Sequence, residues 1–82
     1  QLLVGENVAG QIAAGNNAIF GVMVESHLKA GNQKLIQSPV GIAQLEYGKS
    51  VTDACIGWAE SVDLLKSLAQ AVQQRRKTYT NP

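Results

Sequence analysis

Cysteine is nearly absent from this 82-residue sequence. The single Cys55 excludes an internal disulfide framework and suits a reducing, cytoplasmic setting. Charge of either sign is scarce as well. Seven basic residues against six acidic ones leave a net charge of +1, which argues against a general nucleic-acid or membrane-surface binder. Aromatics are limited to one Trp, two Tyr and one Phe, so the basic run Arg75-Arg76-Lys77 has no interleaved rings on which bases would stack. No apolar run approaches the ~20 residues of a membrane-spanning helix. The opening Gln1-Leu-Leu-Val-Gly-Glu6 lacks the charged region and apolar core of a signal peptide. Repeats and low-complexity tracts are missing, and position 1 is not Met, which fits a fragment.

What is present is the composition of a small globular domain. A chain of this length supports one domain, 1–82, and buries little more than ~60% of its unfolded surface. With hydrophobic residues at 45%, a core is expected, but one of marginal stability.

Two stretches organise the rest, Ala18-Ile-Phe-Gly-Val-Met-Val-Glu25 and Ser50-Val-Thr-Asp-Ala-Cys-Ile56. Each is an apolar, β-branched run of the kind found in parallel strands covered on both faces. Strands are therefore expected at 18–25 and 50–56. Alternation puts Ile19, Gly21, Met23 and Glu25 on one face and Phe20, Val22 and Val24 on the other. In the second run Val51, Asp53 and Cys55 share a face. Each run carries one carboxylate, and a buried carboxylate requires a charge partner or a metal. A cation shared by Glu25 and Asp53 is one reading; structural ion pairs at strand ends are the other.

Helical periodicity covers the two ends. Apolar residues at 4, 8, 9, 12 and 13 predict the end of a helix over 1–14, stopped by Gly15-Asn16-Asn17. A final helix is expected over 61–77, with Ser61 as N-cap and Asp63 in its first turn. Its apolar stripe would be Val62, Leu65, Leu68, Ala69 and Val72, with Leu64 on the edge. Arg75, Arg76 and Lys77 would close it at the negative end of its dipole, and Thr78 to Pro82 would fray. Between the strands, 26–49 reads as a long loop with a turn at Ser38-Pro39 and a short strand or hairpin at 42–45. Loops of that length in compact domains are usually functional.

The wording of the motifs adds to this. Gly21-Val-Met-Val-Glu-Ser-His27, Gly31-Asn-Gln33 and Tyr47-Gly-Lys-Ser-Val-Thr-Asp-Ala-Cys-Ile-Gly-Trp58 closely resemble the C-terminal end of class I 3-deoxy-D-arabino-heptulosonate 7-phosphate (DAHP) synthase, of the longer, feedback-regulated microbial type. The resemblance runs from about Val8 to Arg76. It implies an α/β fold, the chain being the last two strands and final helix of a (β/α)8 barrel, present as a fragment of a several-fold longer homo-oligomeric enzyme. It implies a metal-dependent transferase that condenses phosphoenolpyruvate with erythrose 4-phosphate in the shikimate pathway. Glu25 and Asp53 would be two of four ligands to a divalent metal ion. The other two ligands, a Cys and a His, would belong to earlier strands that this chain lacks, and the Arg and Lys residues that grip the phosphates would lie upstream as well.

Other residues have quieter readings. His27 reads as a satisfied polar side chain rather than a ligand, and the family carries His or Asn there. Cys55 reads as a small buried hydrophobe, or as a thiol beside the metal that makes the site oxidation-sensitive. Lys49 reads as a solvated loop lysine rather than a phosphate contact. Trp58 would pack the start of the final helix against the barrel. A different class of answer is a non-catalytic fragment or a small interaction module with no activity of its own.

Overall fold

Helix α1 runs from Leu2 to Ala13 in a computed structural model that describes the backbone of residues 1–80 and the side chains of residues 1–78. It ends where the sequence turns to Gly15-Asn16-Asn17. Gly15 adopts a φ of 108°. Its N–H donates to the Ile12 carbonyl and the Asn16 N–H to the Gln11 carbonyl, each at 3.0 Å. This pair of bonds is the Schellman ending, which needs a left-handed residue after the cap, and glycine enters that region without a Cβ penalty.

Among the described residues two other helices follow, α2 at Pro39–Ala43 and α3 at Trp58–Thr80. The chain divides into two compact units. One comprises Gln1–Val24 and the chain from Glu60 onward, and the other Glu25–Ala59.

In the first unit α1 and α3 share a small core of Ile12, Leu64 and Ala71. The closest approach is at Gly5, where a Cβ would come within 2.5 Å of Leu64 Cδ1. The missing side chain at Gly5 thus makes room for Leu64, which turns the apolar stripe of α3. Leu64 and Ala71 are buried, whereas Leu65, expected inside, is 64% exposed. Apolar residues at 62, 64, 65, 68, 69, 71 and 72 make α3 apolar over a wide arc, so periodicity alone does not choose the buried edge. Val22 and Val24 line an apolar cleft of about 220 Å³ with Val4, Val8, Leu64 and Leu68, whereas Phe20, expected on the same face, is 98% exposed.

Arg75 does not end α3, which continues through Thr80. Its Nη1 instead donates to the carbonyls of Asn16 (3.0 Å) and Ile19 (2.8 Å), strapping the segment after α1 to the helix. Hydrogen bonds from a charged donor contribute about 1.5–3 kcal/mol. Arg75→Met should therefore cost about 2 kcal/mol in chemical denaturation, with no loss of helix by circular dichroism. A change within ~0.5 kcal/mol would show the strap to be ornamental. Of the tail expected to fray, Thr78 to Thr80 lie in α3, and Asn81-Pro82 lie outside the described residues.

The second unit contains what was expected as a long loop. Ser38 caps α2: its Oγ accepts from the Gly41 N–H at 3.0 Å, and Pro39 occupies the first turn. Ile42 and Ala43 are therefore helical, not part of a strand or hairpin. Helix α3 begins at Trp58, three residues before the expected cap at Ser61. The Trp58 N–H donates to the Leu28 carbonyl at 3.3 Å, so a main-chain acceptor satisfies one of its first donors. Trp58 itself is exposed.

The expected strands at 18–25 and 50–56 are corrected by the structure. Among the described residues no β-strand forms, and the chain does not build a terminal (β/α)8 segment of two strands and a helix. The pairing among the described residues consists of isolated bridges, Ser26 with Ile56, Gly31 with Cys55 and Asn32 with Ser50. The reason is a lack of neighbours. A parallel strand needs ladder partners at ~4.8 Å, and two runs in 82 residues cannot supply them on both sides. No described helix is long and apolar enough to cross a membrane.

Candidate functional site

The motif residues lie in the second unit, where backbone bonds knit 25–33 to 46–58. The His27 N–H donates to the Ile56 carbonyl and the Ile56 N–H to the Glu25 carbonyl, each at 3.0 Å. These two bonds hold the Glu25 backbone directly beside Ile56, three residues after Asp53. Gly31 and Cys55 exchange bonds of 2.8 and 3.1 Å. The adjacent Asn32 is bridged to Ser50. Successive residues, Gly31 and Asn32, thus grip Cys55 and Ser50. Residues 51–54 between them bow outward, all exposed, with Asp53 in the bow. The base of the bow is a tight turn in which Ser50 Oγ accepts from the Thr52 N–H at 3.1 Å.

Asp53 is therefore exposed and Glu25 half-buried. The expected burial of both carboxylates on strand faces is not observed, so desolvation does not compel a cation here. What the fold provides is two hard oxygen donors on segments fixed to one another by main-chain bonds, a donor pair suited to a divalent ion, alone or beside softer ligands. Among the described residues no group of three or more His, Cys, Asp and Glu side chains gathers.

His27 is exposed, and its Nδ1 accepts from the Leu28 N–H at 2.9 Å, which occupies one of its two ligating nitrogens. Cys55 is half-buried, with Sγ 3.5 Å from the Asp53 carbonyl it faces as a weak donor. Lys49 is not simply solvated: its Nζ lies 4.0 Å from Glu46, while Lys29 Nζ approaches Glu46 at 3.2 Å. The Lys29 hydrogen bond, then the charges of Lys29 and Lys49, hold the Glu46 carboxyl below the usual glutamate range.

That depression has a sign. The cluster favours the fold at neutral pH, and its contribution disappears as pH falls below ~4.3 and through the lower folded value. In Lys29→Met the Glu46 carboxyl ¹³C titration midpoint should move upward, toward the ordinary value. An unchanged midpoint would mean that the ion pair does not persist in solution.

Two residues carry more geometry than sequence reasoning assigned them. Gln33 Nε2 donates to the carbonyls of Glu46 (2.8 Å) and Lys49 (2.9 Å), and its Oε1 accepts from the Glu46 N–H at 2.8 Å. Asn32 Nδ2 donates to the Thr52 carbonyl at 3.0 Å. The only signal in the sequence was their place in the Gly31-Asn-Gln33 motif; which carbonyls they serve is set by the loop opposite.

Comparison with known proteins decides the family. The profile described as "DAHP synthetase I family" matches residues 1–66. The chain belongs to the DAHP synthetase I family. Among its relatives, the Phe-sensitive phospho-2-dehydro-3-deoxyheptonate aldolase of Escherichia coli (strain K12) is 54% identical over 76 residues, 93% of this chain and 21% of that protein. The Haemophilus influenzae phospho-2-dehydro-3-deoxyheptonate aldolase is 53% identical over 81 residues, covering 99% of this chain and 21% of that protein. A solved phospho-2-dehydro-3-deoxyheptonate aldolase from Francisella tularensis SCHU S4 superposes with a TM-score of 0.78 at 46% identity, over 90% of this chain and 20% of its own. This DAHP synthetase I family chain thus spans about a fifth of the length of the curated relatives it matches. A Trp-sensitive relative from Buchnera aphidicola is 53% identical, so identity over this stretch does not separate Phe-sensitive from Trp-sensitive members.

Proposed function

We propose that this chain is part of a cytoplasmic DAHP synthase that condenses phosphoenolpyruvate with erythrose 4-phosphate at the start of aromatic amino acid biosynthesis. In that reaction C3 of phosphoenolpyruvate bonds to the sugar aldehyde carbon, water adds at C2, and inorganic phosphate leaves. The observation that carries the reading is the identity of 53–54% to phospho-2-dehydro-3-deoxyheptonate aldolases across almost the whole chain. The paired main-chain bonds between Glu25, His27 and Ile56 add support, because they fix the two motif segments side by side.

Glu25 and Asp53 are the residues of this chain that would hold a divalent cation, each through carboxylate oxygen. Bound there, the ion would supply Lewis-acid polarisation of the aldehyde or of the attacking water. Glu25 is the more firmly seated of the two, being half-buried beside the Ile56 bridge, while Asp53 reaches from an exposed bow. Asp53→Asn in the whole protein keeps the shape of the side chain and removes its charge. It should abolish metal-dependent phosphate release and leave the circular dichroism unchanged. Retained activity with normal metal content would refute the ligand role.

A further inference from the structure

We infer that Asn32 and Gln33 are positioning residues for the cation site, acting through the loop that carries Asp53. The inference rests on the reading of Glu25 and Asp53 as ligands. It starts from Gln33, whose carboxamide uses both N–H donors and its oxygen on one loop, at the Glu46 carbonyl, the Lys49 carbonyl and the Glu46 N–H. Only a carboxamide presents two donors and an acceptor on one planar head; Glu lacks the donors and Lys the acceptor. The Gln33 main-chain N–H adds a bond of 2.8 Å to the Ser50 carbonyl. Residues 46–50 are therefore closed onto this side chain as if onto a neighbouring strand.

Asn32 continues the hold one turn further. Its backbone is bridged to Ser50, and its amide reaches the Thr52 carbonyl, immediately before Asp53. Beyond Asp53 the next fixed points are Cys55, bonded to Gly31, and Ile56, bonded to the Glu25 carbonyl. Asp53 is thus suspended between Thr52, held by Asn32, and the segment that also holds Glu25. Without the two amides, the exposed four-residue bow would keep its far anchor and the Ser50 turn at its base, but Thr52 would lose its tie to Asn32 and the loop at 46–49 its ties to Gln33. The Asp53 backbone would then be less firmly placed relative to the Glu25 segment. Groups behind first ligands typically contribute 10–100-fold to metal affinity through this kind of restraint.

The test uses the whole protein and Mn²⁺ alone, with free ion followed by electron paramagnetic resonance. Asn32→Leu and Gln33→Met are close in size to the native residues and add no charge that would attract or repel the ion. Each should weaken Mn²⁺ binding about tenfold. Amide hydrogen exchange should quicken at residues 50–53 in Asn32→Leu and at 46–50 in Gln33→Met. A purely structural role would lower the melting temperature and leave the Mn²⁺ affinity of the folded protein untouched, and that result would overturn the inference. Asp53→Asn and Glu25→Gln serve as controls. If they bind Mn²⁺ normally, the ligand reading is what fails, and the positioning role falls with it. If they lose the ion while both amide variants bind as the native protein does, the positioning role alone is refuted. Should Gln33→Met fail to fold, Asn32→Leu decides the matter, because it removes a single exposed side-chain bond.

Discussion

The 82-residue chain supplied with phosphoenolpyruvate, erythrose 4-phosphate and Mn²⁺ should release no phosphate above the uncatalysed background. Two carboxylates, Glu25 and Asp53, provide only part of a coordination shell, since divalent ions take four or more ligands. Among the described residues no third His, Cys, Asp or Glu joins a cluster that would hold the ion firmly. Both proposed substrates carry phosphate charge and require fixed cations. Lys29 and Lys49 are drawn to Glu46, and the Arg75 guanidinium is occupied by two main-chain carbonyls. Positioning two reactants contributes about 7–11 kcal/mol to a barrier of this kind, and the loss of that contribution alone removes at least five orders of magnitude in rate. A phosphate-release assay with Glu25→Gln as the control for contaminating enzyme reads the result. Turnover that disappears in the Glu25→Gln protein would overturn the expectation and place a whole site within these residues.

Self-association should be the second large effect. Phe20 is 98% exposed and Met23 80%, within a run that has no charged residue until Glu25. Among the described residues, Phe20 to Val24 make no main-chain hydrogen bond. An apolar, β-branched segment with unsatisfied donors and acceptors is a template for another strand, and a second copy offers the same segment. Sedimentation of the 82-residue chain should therefore show dimers or larger species at micromolar concentration. Phe20→Lys with Met23→Lys removes about 3 kcal/mol of apolar burial per contact, at least a hundredfold in association, and should shift the population toward monomer. Arg75 holds only the Ile19 end of the run, so the double variant leaves that strap in place. A monodisperse native monomer with one cooperative thermal transition would show that the segment is satisfied within its own chain.

These two outcomes share a cause with the difference between expected and observed secondary structure. The runs at 18–25 and 50–56 have the composition of covered parallel strands, and composition reports which environment a segment suits. It does not supply that environment. Residues 51–54 show the consequence: with only Gly31 and Asn32 to pair with, the chain is gripped at Ser50 and Cys55 and bulges between them. Asp53 ends up exposed on the bulge instead of buried on a strand face.

Helix α1, its stop at Gly15 and the turn-opening Ser38-Pro39 pair were decided by local chemistry, because caps and left-handed residues act over three or four positions along the chain. The motif wording carried the family and singled out Glu25 and Asp53. Tertiary structure alone decided the rest. Gly5, 59 residues before Leu64 in sequence, selects the buried edge of α3 by what it lacks. Arg75 leaves the end of its helix dipole for two carbonyls that the turn after α1 delivers. The carboxamides of Asn32 and Gln33 acquire their meaning only from the loop folded against them. A side chain's donors and acceptors can be counted from sequence, but their partners are named only when distant backbone arrives within about 3 Å.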